Sequence, residues 1–214
     1  MYPVSFEADY EEKRSRLTTF FRSWVSLPWL FVAGFYGLAA NIAVFIAWFA
    51  LLFTGRYPQG LYDFVAGYIR MASRSNGFAY LLTDEWPPFN GEENPAYPIR
   101  VDIAAPKPQY SRLKVFFRYI IGIPVMFLVF IQAIILGVCY FIGWIAAVIT
   151  GKMPEGLFNP IRSAMAYLVR AGAYFSLMTE DWPPFSFDEE ASRTAIEQTE
   201  QPALQTQPAA SREG

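Results

Sequence analysis

The chain has 214 residues, of which 54% are hydrophobic, 18% aromatic and 17% charged, with a formal net charge of −2. An average soluble domain carries about 25% charged residues, so the composition favours a membrane class, and the length suits one ordinary domain or two small ones. With no histidine and one cysteine, Cys139, the chain excludes Ser-His-Asp and Cys-His catalysis, most zinc and iron sites, histidine-held haem and any internal disulfide.

The first element is a short alternating piece, "YPVSFEA" (2–8), in which Val4 and Phe6 point the same way, as in a strand. A basic-aromatic segment follows, "SRLTTFFR" (15–22), and then the uncharged run 25–53, "VSLPWLFVAGFYGLAANIAVFIAWFALLF". A membrane-spanning helix needs about 20 apolar residues, and this run exceeds that. It is too long and starts too far into the chain for a signal peptide. Pro28 is expected to break or kink its beginning. A Thr-Gly-basic turn with Pro58 leads to a second helix over about 64–82, with Asp63 as its N-cap. Leu61, Val65, Tyr68 and Ala72 share one side of it, and Arg70 and Arg74 the other. Each arginine near mid-bilayer would cost about 2.5–3.5 kcal/mol, so the helix reads as interfacial. "LLTDEWPPF" (81–89) ends it, because two prolines cannot continue a helix.

The same order then recurs. Shifted by 96 positions, residues 15–89 align with 111–185 without a gap, and 24 of 75 positions are identical. "SRLKVFFR" (111–118), the apolar run 119–149, "TGKMPEGLFN" (150–159) and "LMTEDWPPF" (177–185) answer their first-copy counterparts. "YPIRVDI" (97–103), with Ile99, Val101 and Ile103, answers the opening strand piece at a shift one residue smaller. Asn159 is the expected N-cap of a helix over about 160–178, with Pro160 in its first turn. Leu157, Ile161, Ala164 and Leu168 form its apolar side, and Arg162 and Arg170 fall on the stripe of Arg70 and Arg74. The chain is a tandem duplication: a first membrane unit at 1–95, a second at 96–187, and an acidic tail at 188–214 whose Gln, Ala, Pro, Thr and Ser content predicts disorder. The fold class is mostly α, each unit holding a strand-like piece, a long apolar membrane helix or hairpin, and an amphipathic interfacial helix.

Arg22, Arg70, Arg74, Arg118, Arg162 and Arg170 are the expected contacts to lipid headgroups or a partner. Trp86, Phe89, Trp182 and Phe185 are the expected interfacial anchors, since tryptophan concentrates at headgroup depth. Asp84-Glu85 and Glu180-Asp181 are the best acid–base candidates. However, adjacent carboxylates on a chain leaving a helix point apart, so solvated acids at a membrane edge are the expected reading. The glycines at 55, 60, 151 and 156 lack the ending of a phosphate loop. Asn41 and Gln132 are the strongly polar residues within the apolar runs, and no intramembrane charge marks an ion route. No catalytic residue, cofactor or metal is expected. Basic residues precede both runs, which the positive-inside rule assigns to the cytoplasm. A shallow hairpin turning near Asn41 and Gly137 in each run would satisfy that rule, against two oppositely oriented spans.

The apolar run, "LFTGRYPQGLYDFVAGYIR" and the Pro-Pro-Phe tail, repeated, resemble a bacterial membrane protein family catalogued as domain of unknown function 4389. The Thr-Gly-basic-x-Pro-x-Gly-Leu turn is matched at Thr54–Leu61 and Thr150–Leu157. The resemblance covers nearly everything before the final 27 or so residues and implies a bacterial cell-membrane location but no activity. The function expected from the residues is that of a non-enzymatic integral membrane accessory or scaffold, with membrane lipid and a membrane-protein partner and no nucleic acid. A lipid-binding or bilayer-shaping protein is the alternative, and a membrane enzyme or transporter the third reading.

Overall fold

In a computed structural model, which describes residues 2–184, all but the first few residues of each long apolar run form one helix, after a turn at Ser26 or Gly122. The first repeat comprises β1 (Val4–Ala8), α1 (Arg16–Phe20), α2 (Arg22–Val25), α3 (Leu27–Thr54) and α4 (Gln59–Ala79). The second comprises β2 (Ile99–Ile103), α5 (Arg112–Phe116), α6 (Arg118–Ile121), α7 (Ile123–Thr150) and α8 (Glu155–Phe175). The acidic tail at 188–214 and Phe185 lie outside the described residues.

The expected hairpins do not form. Asn41 sits within α3 and donates its side-chain amide to the Gly37 carbonyl one turn back, 2.7 Å away, so its polarity is absorbed locally. Pro28 and Pro124 occupy the first turn of α3 and α7, where a missing N–H removes no bond. They mark the starts of α3 and α7 directly after the turns at Ser26 and Gly122, so each run is broken near its beginning, as expected of the prolines. Gly55 (φ 70°) and Gly151 (φ 74°) end the two helices in the left-handed region that glycine enters without strain.

Two expectations about α4 and α8 need correction. Both begin about five residues earlier than the pattern suggested. Pro58 and Pro154 are the N-caps, with extended backbone, and their carbonyls accept from Leu61 and Tyr62 and from Leu157 and Phe158 at 3.0–3.1 Å. Asp63 and Asn159 therefore lie inside the helices. Pro160 lies inside α8, beyond the first turn where proline is tolerated freely.

The strand pieces pair with each other. β1 and β2 form an antiparallel ribbon whose register joins Val4 to Ile103, Phe6 to Val101 and Ala8 to Ile99. Phe6 and Val101 are equivalent positions in the two repeats, so a pseudo-two-fold axis passes between them, normal to the ribbon. Their buried face packs on helices of the opposite repeat as well: β1 lies on α8 and β2 on α4, while α4 and α8 meet beneath. The arms are exchanged too. Arg14 N–H donates to Gly151 O (2.9 Å) and Tyr110 N–H to Gly55 O (2.8 Å). The Trp144 indole donates to Thr19 O (2.9 Å) and the Trp48 indole to Val115 O (3.3 Å). Within each repeat the long helix packs on its amphipathic neighbour. Ala33, Gly37, Ala40, Ala43 and Ala47 form the buried stripe of α3, small enough to let α4 approach closely. A Cβ on Gly37 would stand 2.9 Å from the Tyr68 hydroxyl.

Candidate functional site

Among the described residues, both long helices present an exposed apolar face. Opposite its small-residue stripe, α3 exposes Phe31, Phe35, Leu38, Ile42, Phe45, Phe49 and Phe53, a row at the three-to-four spacing of one helical face. On α7, Phe127, Phe130, Ile134, Val138, Phe141, Ile145 and Ile149 are exposed in the same way. Both helices are long and apolar enough to cross a membrane. A soluble monomer rarely shows contiguous apolar patches beyond a few hundred Å².

The arms extend this surface. Leu17, Phe20 and Trp24 on one side and Leu113, Phe116 and Ile120 on the other are exposed beside exposed Lys13, Arg16, Arg112 and Lys114. A basic flank beside exposed aromatics is the composition that seats in a headgroup layer. Sequence reading counted these four cations as flanks and passed them over as contacts. The signal was present: each pair directly borders an apolar spacing, Leu17–Phe20–Trp24 or Leu113–Phe116–Ile120.

The arginines singled out instead lie mostly inside. Arg22 is fully buried, donates to the Thr83 carbonyl (3.1 Å), pairs with Asp84 and stacks over the Phe78 ring at 4.3 Å. Its equivalent Arg118 is buried, donates to the Thr179 carbonyl and stacks over Tyr174 at 4.1 Å. Arg74 is buried and donates to Glu92 O at 2.7 Å; Arg70 pairs with Glu93 (2.6 Å) and reaches Val101 O. Burial lowers the pKa of Arg74, and the nearby Arg70 adds to the effect. Arg162 and Arg170 are half-buried on α8. Headgroup contact by Arg22, Arg74 and Arg118 is therefore corrected. The guanidinium groups of Arg22 and Arg118 satisfy carbonyls where the chain leaves a helix, and that of Arg74 satisfies one in the following loop, uses that burial makes expensive to abandon.

The tails behave differently. Trp86 packs against Trp29 (5.0 Å) and Phe78 (5.4 Å), Phe89 stacks on Trp29 (4.9 Å), and the Trp29 indole donates to Pro87 O at 2.6 Å. Trp86, Phe89 and Trp182 nevertheless each stay about half exposed. The four acids are dispersed. Asp84 and Glu180 accept from the N–H groups of Ser15 (2.8 Å) and Ser111 (2.6 Å), and Asp181 pairs with Lys107 at 3.1 Å. Tyr97 donates to the backbone carbonyl of Glu85 at 3.0 Å. Among the described residues no three His, Cys, Asp or Glu side chains gather in a way that would hold a metal ion.

Comparison with curated proteins and with solved structures yields no match. The repeated architecture itself is recognised: residues 16–90 and 112–186 each match the family described as "Domain of unknown function (DUF4389)", and the chain belongs to that family as two tandem copies.

Proposed function

We propose that this chain is a non-enzymatic integral protein of a bacterial cell membrane, acting as an accessory or scaffold for another membrane assembly. The observation that carries the reading is the pair of exposed apolar rows on α3 and α7, each backed by a buried face. Hydrocarbon is the solvent in which such rows are stable without a covering domain. Of the acids that looked best suited to chemistry, Asp84 and Glu180 are tied to backbone N–H groups and Asp181 to a cation, which favours a structural use of them. The partner is a membrane protein that meets part of the apolar rows or the charged outer face of the ribbon.

Purification of the full chain in mild detergent, followed by identification of co-purifying membrane proteins, tests this reading. A stoichiometric partner recovered under several gentle conditions is the expected result. Recovery of the chain alone under all of them overturns the accessory role. Recovery in the aqueous fraction without detergent overturns the membrane placement as well.

A further inference from the structure

Between α4 and α8, beside the pseudo-two-fold axis, lies a cleft of about 260 Å³ with contributions from both repeats. We propose that it takes a single hydrocarbon chain of a bilayer lipid. The inference rests on the membrane placement proposed above.

The lining carries no charged side chain. Its walls include Tyr68, Ala72 and Asn76 from α4, Leu168 and Gly172 from α8, and Leu136 from α7. On α4, Tyr68, Ala72 and Asn76 occupy a different flank from Arg70 and Gly77, which meet Val101 and Ile99 of β2. The cleft therefore opens away from the charged ribbon. Leu136 is buried, but Ala133 and Gly137 beside it, on the flank of α7 from which Tyr140 meets the cleft residue Tyr80, are exposed, so the mouth adjoins the apolar surface assigned to hydrocarbon. A chain can enter from there without crossing water. The Asn76 amide already donates to Ala72 O at 2.8 Å, which reduces what the wall offers to water. An apolar cavity of about 150 Å³ stays dry and accepts benzene, so this cleft has room for roughly ten chain carbons by the same scale.

Gly172 gives a clean handle. It lines the cleft, and a Cβ built there meets nothing within 4 Å. Gly172 is exposed at the open side of the cleft, so Gly172→Phe should occupy that space and leave the helix intact, whereas Gly172→Ala should leave it open. The full chain is reconstituted in phosphatidylcholine vesicles doped with a phosphatidylcholine bearing a diazirine midway along one chain, irradiated, and mapped by peptide analysis. The expected result is adducts at Leu168 and Asn76, lost at least about tenfold in Gly172→Phe because space for two or more methylenes is removed. Those adducts are retained in Gly172→Ala, and adducts at Phe45 and Phe141 persist in both variants. Adducts at Phe45 and Phe141 with none in the cleft, or cleft adducts unchanged in Gly172→Phe, overturn this inference and leave the membrane placement standing. No adducts anywhere overturn both.

Discussion

The two repeats close on themselves with the same geometry but different chemistry. In the first, Arg14 and Arg22 flank Asp84; Arg14 donates to Leu82 O at 3.1 Å and stands 4.0 Å from the Asp84 carboxylate. In the second, Tyr110 replaces Arg14 and donates to the equivalent carbonyl of Met178 at 3.0 Å. Glu180 there turns to Ser111 N–H, and among the described residues no carboxylate pairs with Arg118. What both copies keep is a guanidinium aimed at the carbonyl of Thr83 or Thr179 and laid on an aromatic ring. The ion pair is an addition to that motif and not its basis. A buried pair contributes little beyond its own desolvation, which explains why one repeat can do without it.

Removing the guanidinium should separate the copies most sharply. Arg22→Met strands the Thr83 carbonyl and takes from Asp84 its nearest cation, leaving it Ser15 N–H and the more distant Arg14, and a loss of about 3 kcal/mol is expected. Arg118→Met strands a carbonyl alone and should cost about 1–3 kcal/mol. Chemical unfolding of both variants in one detergent gives the ranking, and a larger loss for Arg118→Met would refute the additive view of the ion pair.

The exchanged indoles offer a smaller contrast. Trp144→Phe and Trp48→Phe each remove one hydrogen bond to an arm carbonyl, at about 1 kcal/mol apiece. The shorter contact, Trp144 to Thr19 O, should be the dearer loss. Equal midpoints for the two variants would show that the arms are held by packing instead. At the position where the copies diverge, Arg14→Tyr rebuilds the second repeat's solution in the first. It should shift the unfolding midpoint less than Arg14→Ala does.

Alkaline titration sharpens the same comparison. Burial pushes the phenols of Tyr2, Tyr57, Tyr62 and Tyr97 above their ordinary value, and Tyr110 likewise. The unfolded chain releases these protons near pH 10 and the folded chain later, so stability is intact below that pH and falls as pH rises beyond it. Tyrosinate absorbance from these groups should appear together with unfolding. Its full appearance while helicity persists would contradict their burial.

The smallest expected difference is in orientation. The ribbon lies on the pseudo-two-fold axis, and its outer face carries Glu7, Arg100 and Asp102, with Arg100 paired to Asp9 at 2.7 Å. An axis lying in the membrane plane would put those charges at mid-depth, at about 2.5–3.5 kcal/mol each. An axis along the membrane normal keeps them in water and brings both arms to one side. Cysteines at Ser15 and Ser111, in a Cys139→Ala background, should therefore label alike from outside intact cells. Labelling of one and not the other would give an inverted pair.

Much of this was legible in the sequence because it is local. The duplication, the alternation of Val4 and Phe6, the two apolar runs and the Gly55 and Gly151 turns each declare themselves within a few residues. What stayed hidden depends on distant partners. Arg22 looked like a headgroup contact because its carbonyl partner lies 61 residues away. The ribbon was readable as two strand pieces, but nothing in either piece says that the other is its mate. The helix starts were missed because Asp63 and Asn159 are better caps by type than Pro58 and Pro154. The prolines won because their extended backbone already presents a carbonyl to the first turn.

The exchange of arms and strands sets a timetable for biosynthesis. β1 leaves the ribosome with no partner, since β2 begins at Ile99 and α8 at Glu155. At about 5–20 residues per second, β1 waits roughly 5–20 s for β2 and longer for α8, while the apolar row of α3 has already been made. The outer charges Glu7 and Asp9 help keep this waiting edge soluble. A nascent chain stalled between the repeats should thus present an open strand and an unoccupied α3 flank, a form that a chaperone or a second nascent chain can capture.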